Sequence, residues 1–119
     1  MYDETEHKHS LVSSEDVNGT AVYGSSGDQV GTVDHLMIDK NSGKVAYAVI
    51  AFGGFLGLNQ SEYSIPWGKL TYDRDRDAYT TTLSKEQVQG APEPGETWYA
   101  DRDWEQRTFD YYRVPYYWI

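Results

Sequence analysis

The longest apolar runs of the sequence lie in its middle, at residues 30–39 and 44–52. A short polar turn sequence between them ends in Gly43, a residue that readily adopts a positive φ. Two apolar runs joined by such a turn predict a β-hairpin. Within the first run, residues 34 and 35 interrupt the alternation of apolar and polar positions, which predicts a β-bulge.

Shorter runs of the same kind predict that the hairpin belongs to a small β domain. Four further strands are expected, at residues 21–23, 62–66, 67–72 and 78–82. The last two flank a charged turn at residues 73–77 and predict a second hairpin. Because the strands are short and no crossover helices separate them, the pattern favours a small barrel or sandwich and excludes a long parallel sheet.

Two short helices are predicted at the borders of this region. One covers residues 13–17. The other covers residues 85–89, because Ser84 is a favourable N-cap and Gln87 stands three positions later, as in a capping box.

Composition divides the chain into three zones. Residues 1–10 are expected to form a disordered polar tail, residues 11–92 the β domain, and residues 93–119 an aromatic C-terminal segment. In that last segment, Asp101 is a favourable N-cap for a helix that ends near Tyr112.

One face of this C-terminal helix is predicted to be apolar. At a helical period, four residues fall on it: Trp104, Thr108, Tyr111 and Tyr112. Such a face must be buried, either on the β domain of the same chain, where it would cover an open sheet edge, or on a second copy. The sequence favours the second copy and therefore a homodimer.

The composition excludes several classes of protein. The chain has 119 residues, a net charge of −9 and no cysteine. One domain is expected, without disulfides or thiolate zinc sites, and the acidic balance argues against nucleic acid, whose phosphates need clustered Lys and Arg. No run approaches the roughly 18–20 apolar residues of a membrane span. The N-terminus lacks the regions of a signal peptide, so the expected location is the cytoplasm.

One turn has the spacing of metal ligands. Asp73, Asp75 and Asp77 match the first three ligands of a calcium loop, but Ala78 and Ser84 stand where an EF-hand needs glycine and glutamate. These aspartates are therefore weak candidates, and a solvated turn is the favoured interpretation. No metal and no cofactor are predicted.

Catalytic groups are sparse. Asp34 and His35 suggest an acid–base pair. Adjacent strand residues point to opposite faces of a sheet, so their side chains are predicted not to converge. Because common nucleophile and phosphate-binding motifs are also absent, the chain is predicted not to be an enzyme.

A glycine-rich loop at residues 53–57 separates two predicted strands. A phosphate-binding glycine loop needs a helix directly after it, so the favoured interpretation is that these glycines permit sharp bends of the chain. Three large apolar residues in or beside this loop, Phe55, Leu56 and Leu58, are expected either to plug the β domain or to contact a partner.

Four segments have a distinctive order and spacing: GDQVGTV at residues 27–33, IDKNSG at 38–43, AYAVIAFGGFLG at 46–57 and IPW at 65–67. Over roughly residues 11–92 the chain resembles the PRC-barrel family, named for the cytoplasmic domain of the photosynthetic reaction-centre H subunit. The resemblance implies a mainly β fold, a small and strongly bent antiparallel β-barrel. It also implies an interaction module that binds proteins and carries no transferable catalytic residues.

The chain departs from two members of that family. A membrane helix like the one that precedes the barrel of the reaction-centre subunit is not expected from residues 1–10, so a photosynthetic role is not implied. The additional N-terminal domain of the ribosome maturation factor is not expected there either. Its ending, residues 110–118, resembles that of stand-alone bacterial members.

The sequence therefore predicts a non-enzymatic protein that acts by protein–protein contact, as a homodimer and with any other protein partner unknown. The predicted interface comprises Phe55, Leu56, Leu58, Trp104, Tyr111, Tyr112, Tyr116 and Trp118. The alternative is a small-ligand or calcium-binding module, centred on the turn at residues 73–77 or on a pocket at the mouth of the barrel.

Overall fold

Six β-strands form one sheet in the computed structural model, which describes residues 11–52, 61–96 and 100–119. The strands are β1 (Ala21–Tyr23), β2 (Gln29–Ile38), β3 (Val45–Phe52), β4 (Ser61–Pro66), β5 (Thr71–Asp73) and β6 (Ala78–Thr80). Their order across the sheet is β4-β3-β2-β1-β6-β5, so β4 and β5 are its edges. The predicted mainly β fold is confirmed. Closure into a barrel is not, because within the described ranges no hydrogen-bonded pairing joins the two edges.

The β2–β3 hairpin forms as predicted. At its turn, the Asp39 carboxylate accepts a hydrogen bond of 2.6 Å from the Ser42 hydroxyl, which is the main cause of a lowered pKa at Asp39. Gly43 has a φ of +79°, a value that favours glycine. The pairing register shifts between Val33 and His35, so the predicted bulge is confirmed.

One strand pair is parallel, which the sequence did not predict. β6 lies parallel to β1, with Val22 opposite Tyr79, whereas the other strand pairs are antiparallel. A tight turn forces two strands to be antiparallel, but a long connection separates β1 from β6 and imposes no direction. The expected wholly antiparallel sheet is therefore corrected at this pair.

The strand predicted at residues 67–72 is shorter in the structure. Trp67–Lys69 forms a single 3₁₀ turn, in which the Leu70 N–H donates to the Trp67 carbonyl at 3.1 Å. The strand itself covers Thr71–Asp73. Pro66 ends β4 as predicted, since its nitrogen cannot donate to a sheet.

The described residues include three α-helices: α1 (Ser14–Val17), α2 (Lys85–Gln89) and α3 (Arg102–Tyr112). The side chains of Ser13, Ser84 and Asp101 cap their N-termini by accepting backbone N–H bonds, and α2 has the complete capping box. The predicted helices are confirmed, as are the predicted caps Ser84 and Asp101, whereas Ser13, which was predicted to lie within α1, is its cap. No helix in the described ranges is long and apolar enough to cross a membrane.

Strand β3 is buried on both of its faces. Ala48 and Ile50 belong to the main core, which the sheet forms with α1, α2 and Tyr112 at the end of α3. Tyr47 and Val49 belong to a second core, formed with α3 and the residues that follow it. Burial on both faces explains why β3 is the most continuous apolar run in the sequence.

Candidate functional site

Helix α3 packs its apolar face against strand β3. Trp104 and Phe109 are each 2% exposed, and both belong to the second core together with Ala46 and Val49. The Trp104 ring meets the Tyr47 ring edge-on, with ring centroids 5.8 Å apart. The C-terminal helix thus lies on the sheet of its own chain.

The buried face of α3 is wider than the predicted face and is rotated from it. Thr108 and Tyr112 are buried as expected, but Tyr111 is 40% exposed. Phe109 and Glu105, which were not placed on this face, are buried. At 3.6 residues per turn, the buried arc extends towards Phe109 and leaves Tyr111 at its margin. Glu105 lies near the middle of this arc. Because it is charged, the sequence pattern alone does not reveal how wide the buried face is.

Glu105 links Tyr117, near the C-terminus, to helix α3. Although only 6% exposed, its carboxylate accepts a hydrogen bond of 3.0 Å from Arg102 Nε and another from the Tyr117 hydroxyl. The Arg102 guanidinium also lies 4.0 Å from the centroid of the Trp118 ring. Burial, and then the bond to Glu105, raises the pKa of Tyr117, so its phenol stays a hydrogen-bond donor above the pH near 10 at which a free tyrosine ionises.

The last residues form a partly exposed aromatic surface. Tyr116 and Trp118 stack face to face, with centroids 4.5 Å apart and planes 7° from parallel, and the Tyr116 hydroxyl donates to Asp110 at 2.5 Å. Ile119 is 92% exposed. We call the group of Tyr116, Trp118 and Ile119 the C-terminal surface.

A cavity of about 280 Å³ opens on another side of α3. It lies between β4, residues 89–94 and the helix, and we call it the α3 cavity. Its lining includes the buried Thr108 and Tyr112, whose hydroxyls find no hydrogen-bond partner in the part of the chain that the structure describes. The sequence predicted the burial of these two residues but gave no sign that their hydroxyls lack partners.

The pair of Asp34 and His35 contradicts the sequence expectation. The prediction was that the two side chains do not converge, yet His35 Nδ1 lies 2.6 Å from the Asp34 carboxylate. The bulge is the reason: it breaks the alternation of faces, so consecutive side chains meet. Both are substantially exposed, at 41% for His35 and 47% for Asp34, and neither lines the α3 cavity.

Two carboxylates of the turn after β5 accept hydrogen bonds from groups of the same hairpin. Asp73 accepts N–H bonds from Asp75 and Arg76, at 3.0 and 3.4 Å. The Asp77 carboxylate accepts a hydrogen bond of 2.5 Å from the Tyr72 hydroxyl, and Asp77 has a φ of +50°. Among the residues that the structure describes, no group of three or more His, Asp or Glu is arranged to hold a metal ion.

The predicted interface residues have different surroundings. Trp104 and Tyr112 are buried inside the chain, whereas Tyr111, Tyr116 and Trp118 retain accessible surface. Phe55, Leu56 and Leu58 lie outside the described residues.

Two comparisons place this chain among known proteins. The family model of the PRC-barrel domain matches residues 10–88. A protein of Deinococcus radiodurans described as uncharacterized is 28% identical over 75 residues, which are 63% of this chain. The match spans 26% of the length of that relative, so it concerns a domain of the relative rather than its whole length.

Proposed function

The chain belongs to the PRC-barrel family, and from that premise we propose that it is a non-enzymatic interaction module whose partner is a second copy of itself. The sequence resemblance supports this proposal, since members of the family bind proteins. The acid–base contact of Asp34 and His35 does not oppose it, because the pair lies on an exposed part of β2, away from the α3 cavity.

The observation that carries the proposal is the C-terminal surface. Tyr116 and Trp118 stack on each other, Asp110 accepts a hydrogen bond from Tyr116, and Arg102 lies over Trp118, yet both rings remain partly exposed. Rigid aromatic side chains with accessible area lose little entropy on binding, and they are enriched where proteins meet. Ile119 adds an exposed apolar side chain at the end of the chain.

Other apolar side chains of the described residues are exposed as well. Ile38, at the end of β2, is 51% exposed, and its neighbour Met37 packs against the same core as Tyr116. Tyr111 adds a further ring at 40% exposure. The proposed interface therefore uses Tyr111, Tyr116 and Trp118 of the predicted set, whereas Trp104 and Tyr112 stabilise the fold.

Sedimentation velocity over a range of protein concentrations tests this proposal. Wild type should sediment as a dimer at micromolar concentration, and Trp118→Ala should shift the dissociation constant upwards by about tenfold or more, as expected for an aromatic anchor. Tyr72→Ala is the matched control, because Tyr72 is 49% exposed on the edge strand β5 and should leave dimerisation unchanged.

Two results would contradict the proposal. A wild-type chain that remains monomeric at high concentration rules out self-association. A dimer that Trp118→Ala and Tyr72→Ala weaken equally shows that the C-terminal surface is not the interface.

A further inference from the structure

The chain turns from α1 into β1 at residues 18–20, which we call the α1–β1 corner. Asn18 is the C-cap of α1, is exposed, and is followed by Gly19. An asparagine before a glycine is prone to deamidation, because glycine has no Cβ to hinder the attack of its own nitrogen on the asparagine side chain. Neither of the other two asparagines, Asn41 and Asn59, precedes a glycine.

The backbone geometry of the corner opposes this reaction. Ring closure needs the Asn18 Cβ and the Gly19 nitrogen to be nearly eclipsed about the bond between Cα and the carbonyl carbon. Asn18 is extended, with a ψ of 131°, which keeps the two atoms far from that arrangement. The Gly19 N–H also donates to the Val33 carbonyl at 2.6 Å, a short hydrogen bond. A nitrogen that keeps its proton in such a bond is a poor nucleophile.

Neighbouring hydrogen bonds hold the corner closed. The Val33 N–H donates to the Thr20 carbonyl at 2.9 Å, and the Thr20 hydroxyl donates to the Asp16 carbonyl at 3.1 Å. Ser13 caps the other end of α1, and Val17 is the buried side chain of this helix. So short a helix, with one buried side chain, can open while the rest of the domain stays folded.

We propose that Asn18 is a modification site, whose side-chain amide converts to aspartate and isoaspartate only when the α1–β1 corner opens. While the corner is closed, the Gly19 nitrogen is held by Val33 and the amide persists. The site goes beyond the proposed dimer and does not depend on it, because the corner shares no residue with the C-terminal surface.

The reaction needs only water and hydroxide. Hydroxide removes the proton of the freed Gly19 N–H, and the nitrogen forms a bond to Asn18 Cγ. The bond from Cγ to the side-chain nitrogen breaks, and that nitrogen takes a proton from water and leaves as ammonia. Water then hydrolyses one of the two ring bonds to nitrogen in the resulting succinimide, which gives aspartate or isoaspartate.

Isoaspartate would change the fold at this corner. It lengthens the main chain by one carbon between Val17 and Val22, which belong to the main core and are 3% and 0% exposed. The longer chain displaces the Gly19 N–H from the Val33 carbonyl. Either product also adds a negative charge to a chain whose net charge is −9. The modified corner should therefore close less favourably than the original one.

Incubation of the full chain at mildly alkaline pH, in native buffer and in concentrated urea, tests the site. Proteolytic digestion and mass spectrometry measure the converted fraction of each asparagine over time. In urea, Asn18 should react faster than Asn41 and Asn59, because no structure protects the Gly19 nitrogen. At the same pH and temperature in native buffer, its rate should be lower by about a hundredfold or more, because only the open fraction reacts.

Two N-cap variants separate local opening from global unfolding. Ser13→Ala removes the cap of α1 and Ser84→Ala that of α2, and each side chain accepts a backbone N–H bond. Loss of its cap weakens α1, so Ser13→Ala should raise the native rate at Asn18 about fivefold. Ser84→Ala is the matched control and should leave that rate unchanged. In urea both variants should react like wild type.

Three outcomes would overturn the proposal. Equal rates in native buffer and in urea show that the closed corner gives no protection. A native rate in Ser13→Ala no higher than that in Ser84→Ala shows that opening of this corner does not control the reaction. An Asn18 that keeps its amide in urea shows that the dipeptide is not reactive.

Discussion

Helix α3 buries polar groups on two of its sides, and the two sides satisfy them differently. On the side that faces the end of the chain, Glu105 accepts hydrogen bonds from Arg102 and Tyr117. On the side that faces β4, the hydroxyls of Thr108 and Tyr112 have no partner among the described residues. The same short helix therefore combines a complete polar network with an incomplete one.

The difference separates buried polar groups that stabilise the fold from buried polar groups that weaken it. A buried polar group with all its partners stabilises one arrangement of the chain, because breaking it exposes the full cost of its burial. A buried polar group without a partner lowers stability until something binds it. The Glu105 network accordingly stabilises the fold, whereas the unpartnered hydroxyls of Thr108 and Tyr112 lower its stability.

The largest expected effect comes from removing the centre of the complete network. Glu105→Ala leaves the Tyr117 hydroxyl without its acceptor and should lower the free energy of unfolding by about 2 kcal/mol. Urea denaturation measures this change. Asp103→Ala is the matched control on the same helix, because its ion pair with Arg107 is exposed and should contribute no more than about 0.5 kcal/mol. Equal losses in the two variants would mean that the Glu105 network adds no special stability.

The same chemical change should have opposite signs on the two sides of the helix. Tyr117→Phe removes a donor from buried Glu105 and should lower the free energy of unfolding by about 1.5 kcal/mol. Tyr112→Phe removes an unpartnered hydroxyl and should raise it by about 1 kcal/mol. Denaturation curves of the two variants in one buffer decide the matter. A loss of stability in Tyr112→Phe would show that its hydroxyl has a partner in solution.

Alkaline pH should affect both sides of the helix in the same direction. Burial is the main cause that raises the pKa of Tyr112 and of Tyr117 above the ordinary value near 10. Above that pH the unfolded state loses phenol protons that the folded state keeps, so stability falls as the pH rises. Between pH 10 and 11 the loss should be about 1 kcal/mol for buried Tyr112.

The slope of unfolding free energy against pH, measured by urea denaturation at several pH values, tests this expectation. Tyr112→Phe should show a shallower slope than wild type, since the variant has no phenol at this position whose ionisation favours unfolding. A slope that is the same in both proteins would show that Tyr112 ionises as readily in the folded as in the unfolded state.

Local rules made much of the fold predictable from the sequence. The β2–β3 hairpin, its bulge and the N-caps Ser84 and Asp101 each depend on residues only a few positions apart. The parallel pairing of β1 with β6 was not predictable in this way. A strand's partner in another part of the chain depends on the completed packing of the domain, which no local pattern encodes.

The candidate sites were less predictable than the fold. Helical periodicity placed Thr108 and Tyr112 on a buried face, but whether a buried hydroxyl finds a partner depends on the segments packed around it. Glu105 was missed because charge is ordinarily a sign of exposure. The contact of Asp34 with His35 was wrongly excluded because the rule of alternating faces was applied across a bulge that breaks it.

The edge strand β5 has a consequence for how these molecules behave in concentrated solution. It is only three residues long, and the turn that follows it carries the alternating charges of residues 73–77. A short edge beside charged side chains offers a neighbouring molecule few free backbone groups to extend the sheet. Although the sheet has open edges, the short length of β5 and the charged turn beside it therefore disfavour edge-to-edge aggregation at this strand.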